Sequence, residues 1–197
     1  MPAWPVIVHD RFNHVPTGAR ENEYYGPYNK LLHCLFPFDS PFTVAPQSYP
    51  VPNSRNSVDF VVEYAVFYGD VPVLILEIKS ADGLNLGSAR QEADSQIRDR
   101  LFDLTAQCPL SVLHAVSAFG TKLCFYTGTN GAEGSVIVTP VRIPADPVIM
   151  LDTAPATRWD SDVMEDGGAN RLKAIVAQIQ AECASLCQSL LSIFIDN

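Results

Sequence analysis

Three ionisable side chains in the middle of the sequence have the types and spacing of a hydrolytic site. Glu77 and Lys79 close an apolar run that begins at Val73. Asp59 lies upstream, in a run of β-branched and aromatic residues. Side chains two positions apart in a strand point to the same face, so this carboxylate and ammonium group would project together while Ile78 faces the opposite core. A charged pair in an otherwise apolar strand therefore needs a reason, which is either a surface ion pair at the strand end or, together with Asp59 and Glu23, a functional site.

The chemistry that suits this trio is metal-dependent hydrolysis of a phosphodiester bond. Two carboxylates, Asp59 and Glu77, are hard ligands for Mg²⁺ or Mn²⁺, which polarises a phosphate and lowers the pKa of a bound water. The backbone carbonyl of Ile78 could complete the metal shell. Lys79 could orient the water or stabilise the charge that gathers on phosphate oxygens. The pattern therefore predicts a divalent cation as cofactor and nucleic acid as substrate.

Two strands are expected to position these residues. The segment 57–68 alternates and is rich in β-branched and aromatic residues, and the apolar run that follows reads as a strand buried on both faces. The segment 69–72 is predicted to be the turn between them. A hairpin around this turn would pair Asp59 with about residue 79 to 81, and a slip in register would make Glu63 the metal ligand instead.

Helices are predicted on both sides of this strand pair. The segment 17–36 has helical periodicity, and its helix either kinks at Gly26-Pro27 or begins at Pro27, which a first turn tolerates. The segment 88–107 is a second predicted helix, with Ser88 as N-cap. Its apolar stripe consists of Ala89, Ala93, Ile97, Leu101 and Leu104.

The rest of the sequence adds strands and one more helix. Strands are predicted at 111–118, 122–127 and 136–141, and a C-terminal helix at 170–194. This order predicts an α/β or α+β fold in which helices pack on one sheet. A chain of 197 residues suits a single domain, 1–197, with a core at about 17–127 and a C-terminal extension at 128–197.

The net charge is the main evidence against a nucleic-acid substrate. The chain carries a formal charge of −9, whereas proteins that grip phosphates usually present a basic surface. Nucleic acid would therefore need a local basic patch, which Arg90, Arg98, Arg100 and Lys122 could form. The alternative is a solvated helix face on which Glu92, Asp94, Asp99 and Asp103 pair with these cations.

The composition also indicates where the protein works. No apolar run is long enough to cross a bilayer and the N-terminus does not read as a signal peptide, so we expect an intracellular protein, cytoplasmic or nuclear, without a membrane partner. The five cysteines lack CxxC pairs, which predicts reduced thiols and no structural zinc. The four histidines lack ligand spacing, and His114 is expected to be a core or rim residue rather than a catalytic base.

Asp59 followed by Glu77-x-Lys79 within a hairpin resembles the signature of the PD-(D/E)XK nuclease superfamily. This resemblance implies a restriction-endonuclease-like α/β core: helix, three strands, helix and a further strand, with a central mixed sheet flanked by helices. It also implies an acidic ligand from the first helix, for which Glu23 is the best match and Glu21 the second. It further implies a glutamine from the second helix, Gln96 or its rival Gln91. Val58 replaces the proline that usually precedes the aspartate.

Two further readings follow from the sequence. The segments 108–126 and 152–160 resemble an uncharacterised family of mushroom-type fungal proteins, which implies no established activity. The acidic surface favours a second function, a catalytically inactive member of the same fold that serves as a binding or dimerisation module. A homodimer could form through the apolar face of the helix at 170–194, although that face is more readily expected to pack on the protein's own core.

Overall fold

The computed structural model of the protein describes residues 3–46, 60–66 and 69–195, and for 60–66, 69–70 and 189–195 it describes the backbone alone. The helices are α1 (Val6–Asn13), α2 (Tyr25–Leu35), α3 (Gly87–Leu104) and α4 (Asp166–Ile195). The strands are β1 (Phe42–Pro46), β2 (Phe60–Val66), β3 (Gly69–Lys79), β4 (Leu113–Phe119), β5 (Lys122–Asn130), β6 (Val136–Thr139) and β7 (Ser161–Asp162).

One mixed sheet organises the described part of the chain. Its strands follow the order β1-β2-β3-β4-β5-β6, and β7 pairs with β5 at the end of the sheet. Neighbouring strands are antiparallel except β3 and β4, which are parallel because α3 crosses from the end of one to the start of the other. The predicted α/β class, with a central mixed sheet, flanking helices and a C-terminal helix, is confirmed.

Helices cover both faces of the central strands. On one face, Leu31 and Leu32 of α2 and Leu172 of α4 line the same small internal space as Leu74 and Leu76 of β3. On the other face lies α3. Strand β3 therefore has two buried faces, which explains why its sequence is apolar almost throughout.

The pairing of β2 with β3 differs from the predicted hairpin. Gly69–Pro72 does not form the turn, because β3 already begins at Gly69, which pairs with Val66. Phe60 lies opposite Leu76, whereas the predicted hairpin would pair the preceding residue, Asp59, with about residue 79 to 81. The register shifts between Val62 and Glu63, where the partner strand contains Pro72. Proline has no N–H to donate to the ladder, and a bulge accommodates that loss.

The helix starts also correct two details. Helix α2 begins at Tyr25, so Pro27 lies in its first turn, and a 3₁₀ turn at Glu21–Tyr24 replaces the earlier part of the predicted helix. Helix α3 begins at Gly87, and no side-chain hydrogen bond caps it. The prediction of Ser88 as N-cap is therefore wrong. The predicted apolar stripe of α3 is confirmed, since Ala93, Ile97, Leu101 and Leu104 are buried.

The segment after residue 130 belongs to the same core. Trp4 Nε1 donates to the carbonyl of Val163 at 2.6 Å, and Trp159 Nε1 donates to Ser117 Oγ of β4 at 3.3 Å. The apolar stripe of α4 is buried in the protein itself at Leu172, Val176, Ile179 and Cys183. None of the described helices has the length and apolar character that a membrane span requires.

The contact between α4 and β7 leaves room only for glycine at position 168. A Cβ atom at Gly168 would lie 2.5 Å from the carbonyl carbon of Asp162, whereas a Cβ atom at Gly167 would meet nothing within 4 Å. We expect Gly168→Ala to lower the free energy of unfolding by about 2–3 kcal/mol, since backbone must move to admit the methyl group. Gly167→Ala should leave stability unchanged or slightly higher. Urea denaturation of both variants checks this, and equal stabilities would contradict the close approach.

Candidate functional site

Glu77 occupies a buried position near the carboxyl end of β3. Its odd-numbered position points toward α3, where Arg100 Nε lies 3.3 Å from Glu77 Oε1. Both side chains are only 7% exposed. A buried carboxylate needs such a partner because desolvation of an isolated charge is costly. Glu77 is thus held by a cation of the protein itself.

Lys79 lies at the end of the same strand and has a different partner. Its Nζ is 3.6 Å from Glu21 Oε2, and both side chains are partly exposed. Glu21 stands in the 3₁₀ turn before α2 and also accepts a hydrogen bond from the Tyr25 hydroxyl at 2.9 Å. The 3₁₀ turn before α2 therefore brings one acidic residue, Glu21, to the end of β3.

Asp59 lies outside the described residues, and so does the side chain of Glu63. The nearest described position is Phe60, which follows Asp59 in the sequence and pairs with Leu76, the residue before Glu77. Ile78 is fully buried in the core, on the strand's other face from Glu77. Within residues 3–46, 60–66 and 69–195, no three acidic, histidine or cysteine side chains are grouped as metal ligands would be.

The remaining predicted site residues are spread over α3 and the start of α2. Glu23 is exposed and lines a groove between α1 and α2, while Glu21 from the same turn meets Lys79. Gln96 lies one helical turn before Arg100, so it shares the face of α3 that meets Glu77. Its Nε2 donates to Glu92 Oε1 at 3.3 Å, and its buried Oε1 has no hydrogen-bond partner in the part of the chain that the structure describes. Gln91 is exposed.

The three arginines of α3 are buried rather than exposed in a basic patch or on a solvated face, although the expected i,i+4 pair of Asp94 and Arg98 does form. Arg90, Arg98 and Arg100 are 6–8% exposed and form ion pairs with Asp152, Asp94 and Glu77 respectively. The segment 139–158 contacts two of these arginines, since Arg90 donates to the carbonyl of Ala154 and Arg98 to the carbonyl of Pro140, whereas Arg100 meets β3. Lys122, in turn, pairs with Asp162 at 3.2 Å.

Asp94 is the centre of a buried polar network that the sequence did not reveal. Its carboxylate accepts two hydrogen bonds from Arg98, one from Arg158 at 2.6 Å and one from the Tyr126 hydroxyl at 2.9 Å. Burial is the largest cause that raises the pKa of Tyr126, followed by the neighbouring Cys124 and Asp94. The hydroxyl of Tyr126 therefore stays protonated and donates. Only the i,i+4 spacing of Asp94 and Arg98 could have signalled part of this network.

The histidine and cysteines near the sheet have the character of core residues. His114 of β4 is 7% exposed, and burial lowers its pKa, so the imidazole is neutral at pH 7. All five cysteines are free thiols. Burial raises the pKa of Cys108 and Cys124 to about 11 and that of Cys183 to about 12, so these three are not thiolate nucleophiles or ligands at neutral pH.

The donor atoms at the end of β3 suit a hard divalent cation, with one condition. Carboxylate and backbone carbonyl oxygens are the donors that Mg²⁺ and Mn²⁺ prefer, and Glu77, Ile78 and Glu21 carry such oxygens, although the described side chains are not grouped as ligands of one cation. Glu77 would have to exchange its contact with Arg100 for the cation. Comparison of the chain with protein-family models, with curated proteins and with solved structures found no match.

Proposed function

We propose that the protein is a metal-dependent nuclease with a PD-(D/E)XK fold that hydrolyses phosphodiester bonds of DNA or RNA. The observation that carries this proposal is the end of β3, where Glu77 and Lys79 stand beside an acidic turn that precedes α2. The order helix, three strands, helix, strand supports the same fold. Asp59 is proposed as a further metal ligand; it lies outside the described residues and directly precedes Phe60, which pairs with Leu76.

Each described residue has a part in this proposal. Lys79 is partly exposed, so its ammonium group can reach a substrate phosphate and stabilise the charge that develops there. Glu21 orients Lys79 through their ion pair. A bound Mg²⁺ or Mn²⁺ would polarise the phosphate and lower the pKa of the attacking water. Gln96 lies on the helix face of Arg100, and its buried carbonyl oxygen, which has no hydrogen-bond partner among the described residues, is proposed to accept a hydrogen bond from a water bound at the metal.

The test of this function is cleavage of labelled single-stranded and double-stranded oligonucleotides in Mg²⁺ or Mn²⁺, with EDTA as the metal-free reference. We expect Lys79→Ala to lower the cleavage rate about 100-fold or more, the usual loss when one charge-stabilising donor is removed.

Lys122→Ala is the matched control for this experiment. Lys122 also stands at a strand end in a partly exposed ion pair, 3.2 Å from Asp162, so its loss should leave the rate unchanged. Both variants should fold like the parent protein, because exposed ion pairs contribute at most about 1 kcal/mol. Cleavage that persists unchanged in Lys79→Ala would sink the proposal.

A second function has an observation of its own in its favour. The buried ion pair between Glu77 and Arg100 balances the charge of the carboxylate without a metal ion, as a catalytically inactive binding module of the same fold would require. Isothermal calorimetry with Mn²⁺ separates the two functions. Heat of binding that disappears in Glu77→Gln supports the nuclease, and no binding at about millimolar Mn²⁺ supports the inactive module.

A further inference from the structure

A groove with a basic lining lies between α1 and α2. Its volume is about 820 Å³. The charged, titratable and aromatic side chains that line it are Arg11, His14, Glu23, Lys30, His33 and Phe38. The lining contains one acidic side chain, two strong cations and two imidazoles, so its charge is opposite in sign to the net charge of the chain, −9. A local excess of positive charge in a concave site attracts an anionic ligand.

The two strong cations of the groove are free to meet such a ligand. Among the described lysines and arginines, most are engaged with carboxylates of the protein, as Arg90, Arg98, Arg100 and Lys122 illustrate. Arg11 and Lys30 are exposed and have no ion pair within the described residues. Two exposed cations without an ion pair to described residues therefore line the same groove, whereas Arg20 and Arg142 lie outside it.

The two histidines present a defined atom to the groove. His14 Nδ1 lies 2.5 Å from the carbonyl of Asp10, and His33 Nδ1 lies 2.8 Å from the carbonyl of Asn29. A carbonyl oxygen only accepts, so Nδ1 carries the proton in both rings. The atom left to contact a ligand is Nε2, which donates to a phosphate oxygen when the ring is protonated.

An exposed aromatic ring, that of Phe38, also lines the groove. Phe38 is 91% exposed, an unusual position for a large apolar side chain. Asn22 and Asn29 add amide donors and acceptors beside it. A basic groove with an exposed ring is typical of single-strand binding, because cations track the phosphates while the aromatic face stacks on a base. A simple inorganic anion would have no use for the ring.

We propose that the α1–α2 groove binds single-stranded nucleic acid and guides it toward the end of β3. The guidance rests on the proposed nuclease function, whereas the binding does not. One 3₁₀ turn supports the proposed guidance, because it contributes Glu23 to the groove and Glu21 to the ion pair with Lys79. Repulsion from Glu23 keeps phosphates near Arg11 and Lys30.

Binding is measured without catalysis, by fluorescence anisotropy of a labelled oligothymidylate of about twenty nucleotides in EDTA over a range of salt concentrations. For single strands, the slope of log affinity against log salt changes by about 0.7 for each phosphate contact. We expect Arg11→Ala and Lys30→Ala each to reduce the slope by about this amount. Arg142→Ala, which removes an exposed cation without an ion pair elsewhere, should leave the slope and affinity unchanged.

Phe38→Ala tests whether bases are contacted. We expect about a tenfold loss of affinity for the oligonucleotide, within the range for one base–aromatic stack, and no loss for inorganic polyphosphate as a probe. No anisotropy change up to about 100 μM protein, the weak limit of non-specific binding, would overturn the proposal. Equal losses in Arg142→Ala and in the groove variants would also overturn it. Binding without cleavage in Mn²⁺ would support the groove while the nuclease function fails.

Discussion

Asp94→Asn is expected to lower the free energy of unfolding by about 3–5 kcal/mol, one of the two largest effects we predict for a single side chain. The replacement keeps the shape of the side chain but removes the charge that Arg98 and Arg158 share. Both guanidinium groups are nearly buried, and a buried charge without its counter-ion costs this much. For a chain of this length the loss corresponds to a fall of about 10 °C in the midpoint of thermal unfolding.

Circular dichroism during heating measures this effect. Asp99→Asn is the matched control, because Asp99 lies on the same helix but is exposed, and its replacement should change the midpoint by little. Because Arg158 belongs to the segment that covers α3, we also expect that segment to become more accessible to proteases in Asp94→Asn. Equal midpoints for the two variants would show that the network does not hold the segment to the sheet.

The second large effect concerns the contact between Glu77 and Arg100. Glu77→Met and Arg100→Met should each lower the free energy of unfolding by about 3 kcal/mol, since each removes one member of a buried ion pair. The double variant should recover most of this loss, because two apolar side chains replace the pair. A double-mutant cycle in urea measures the coupling energy. Additive losses would contradict a direct pair.

The same variants test whether Glu77 can serve a cation. Suppose that Arg100 and Mn²⁺ compete for the carboxylate of Glu77. Mn²⁺ should then raise the unfolding midpoint of Arg100→Met more than that of the parent protein, because ligand binding stabilises the folded state. Glu77→Met should not respond. An equal response of all three proteins would assign any bound Mn²⁺ to another place and would favour the inactive module.

Local sequence patterns predicted the elements that hold the proposed site. The unbroken apolar run before Glu77 indicated a strand buried on both faces, and α2, α4 and α3 do cover β3 from both sides. The helical period of Ala93, Ile97, Leu101 and Leu104 indicated which face of α3 meets the sheet, and those residues are buried. Such patterns succeed because burial of a face depends on spacing along the chain.

The β2–β3 register and the choice between neighbouring acidic residues were beyond such patterns. A slip of two residues between paired strands keeps every side chain on its face, so the alternation of the sequence does not distinguish the two registers. In the structure the register of β2 and β3 shifts between Val62 and Glu63, opposite Pro72. Glu23 and Glu21 lie two positions apart in one turn, so their directions depend on how that turn packs against β3. The tertiary structure brought Glu21 to Lys79 and left Glu23 in the groove.

By itself, the sequence determined the class of the fold, the buried central strand and the presence of charged residues at its end, because each depends on residues that are neighbours in the chain. Only the tertiary structure decided what those charges do. The arginines of α3 were expected at the surface, yet they are enclosed because Asp152, Arg158 and Glu77 approach from distant parts of the chain. No local pattern encodes a partner 64 residues away, as Arg158 is from Asp94. The same internal pairing leaves Arg11 and Lys30 as free cations in one groove, which composition alone could not locate.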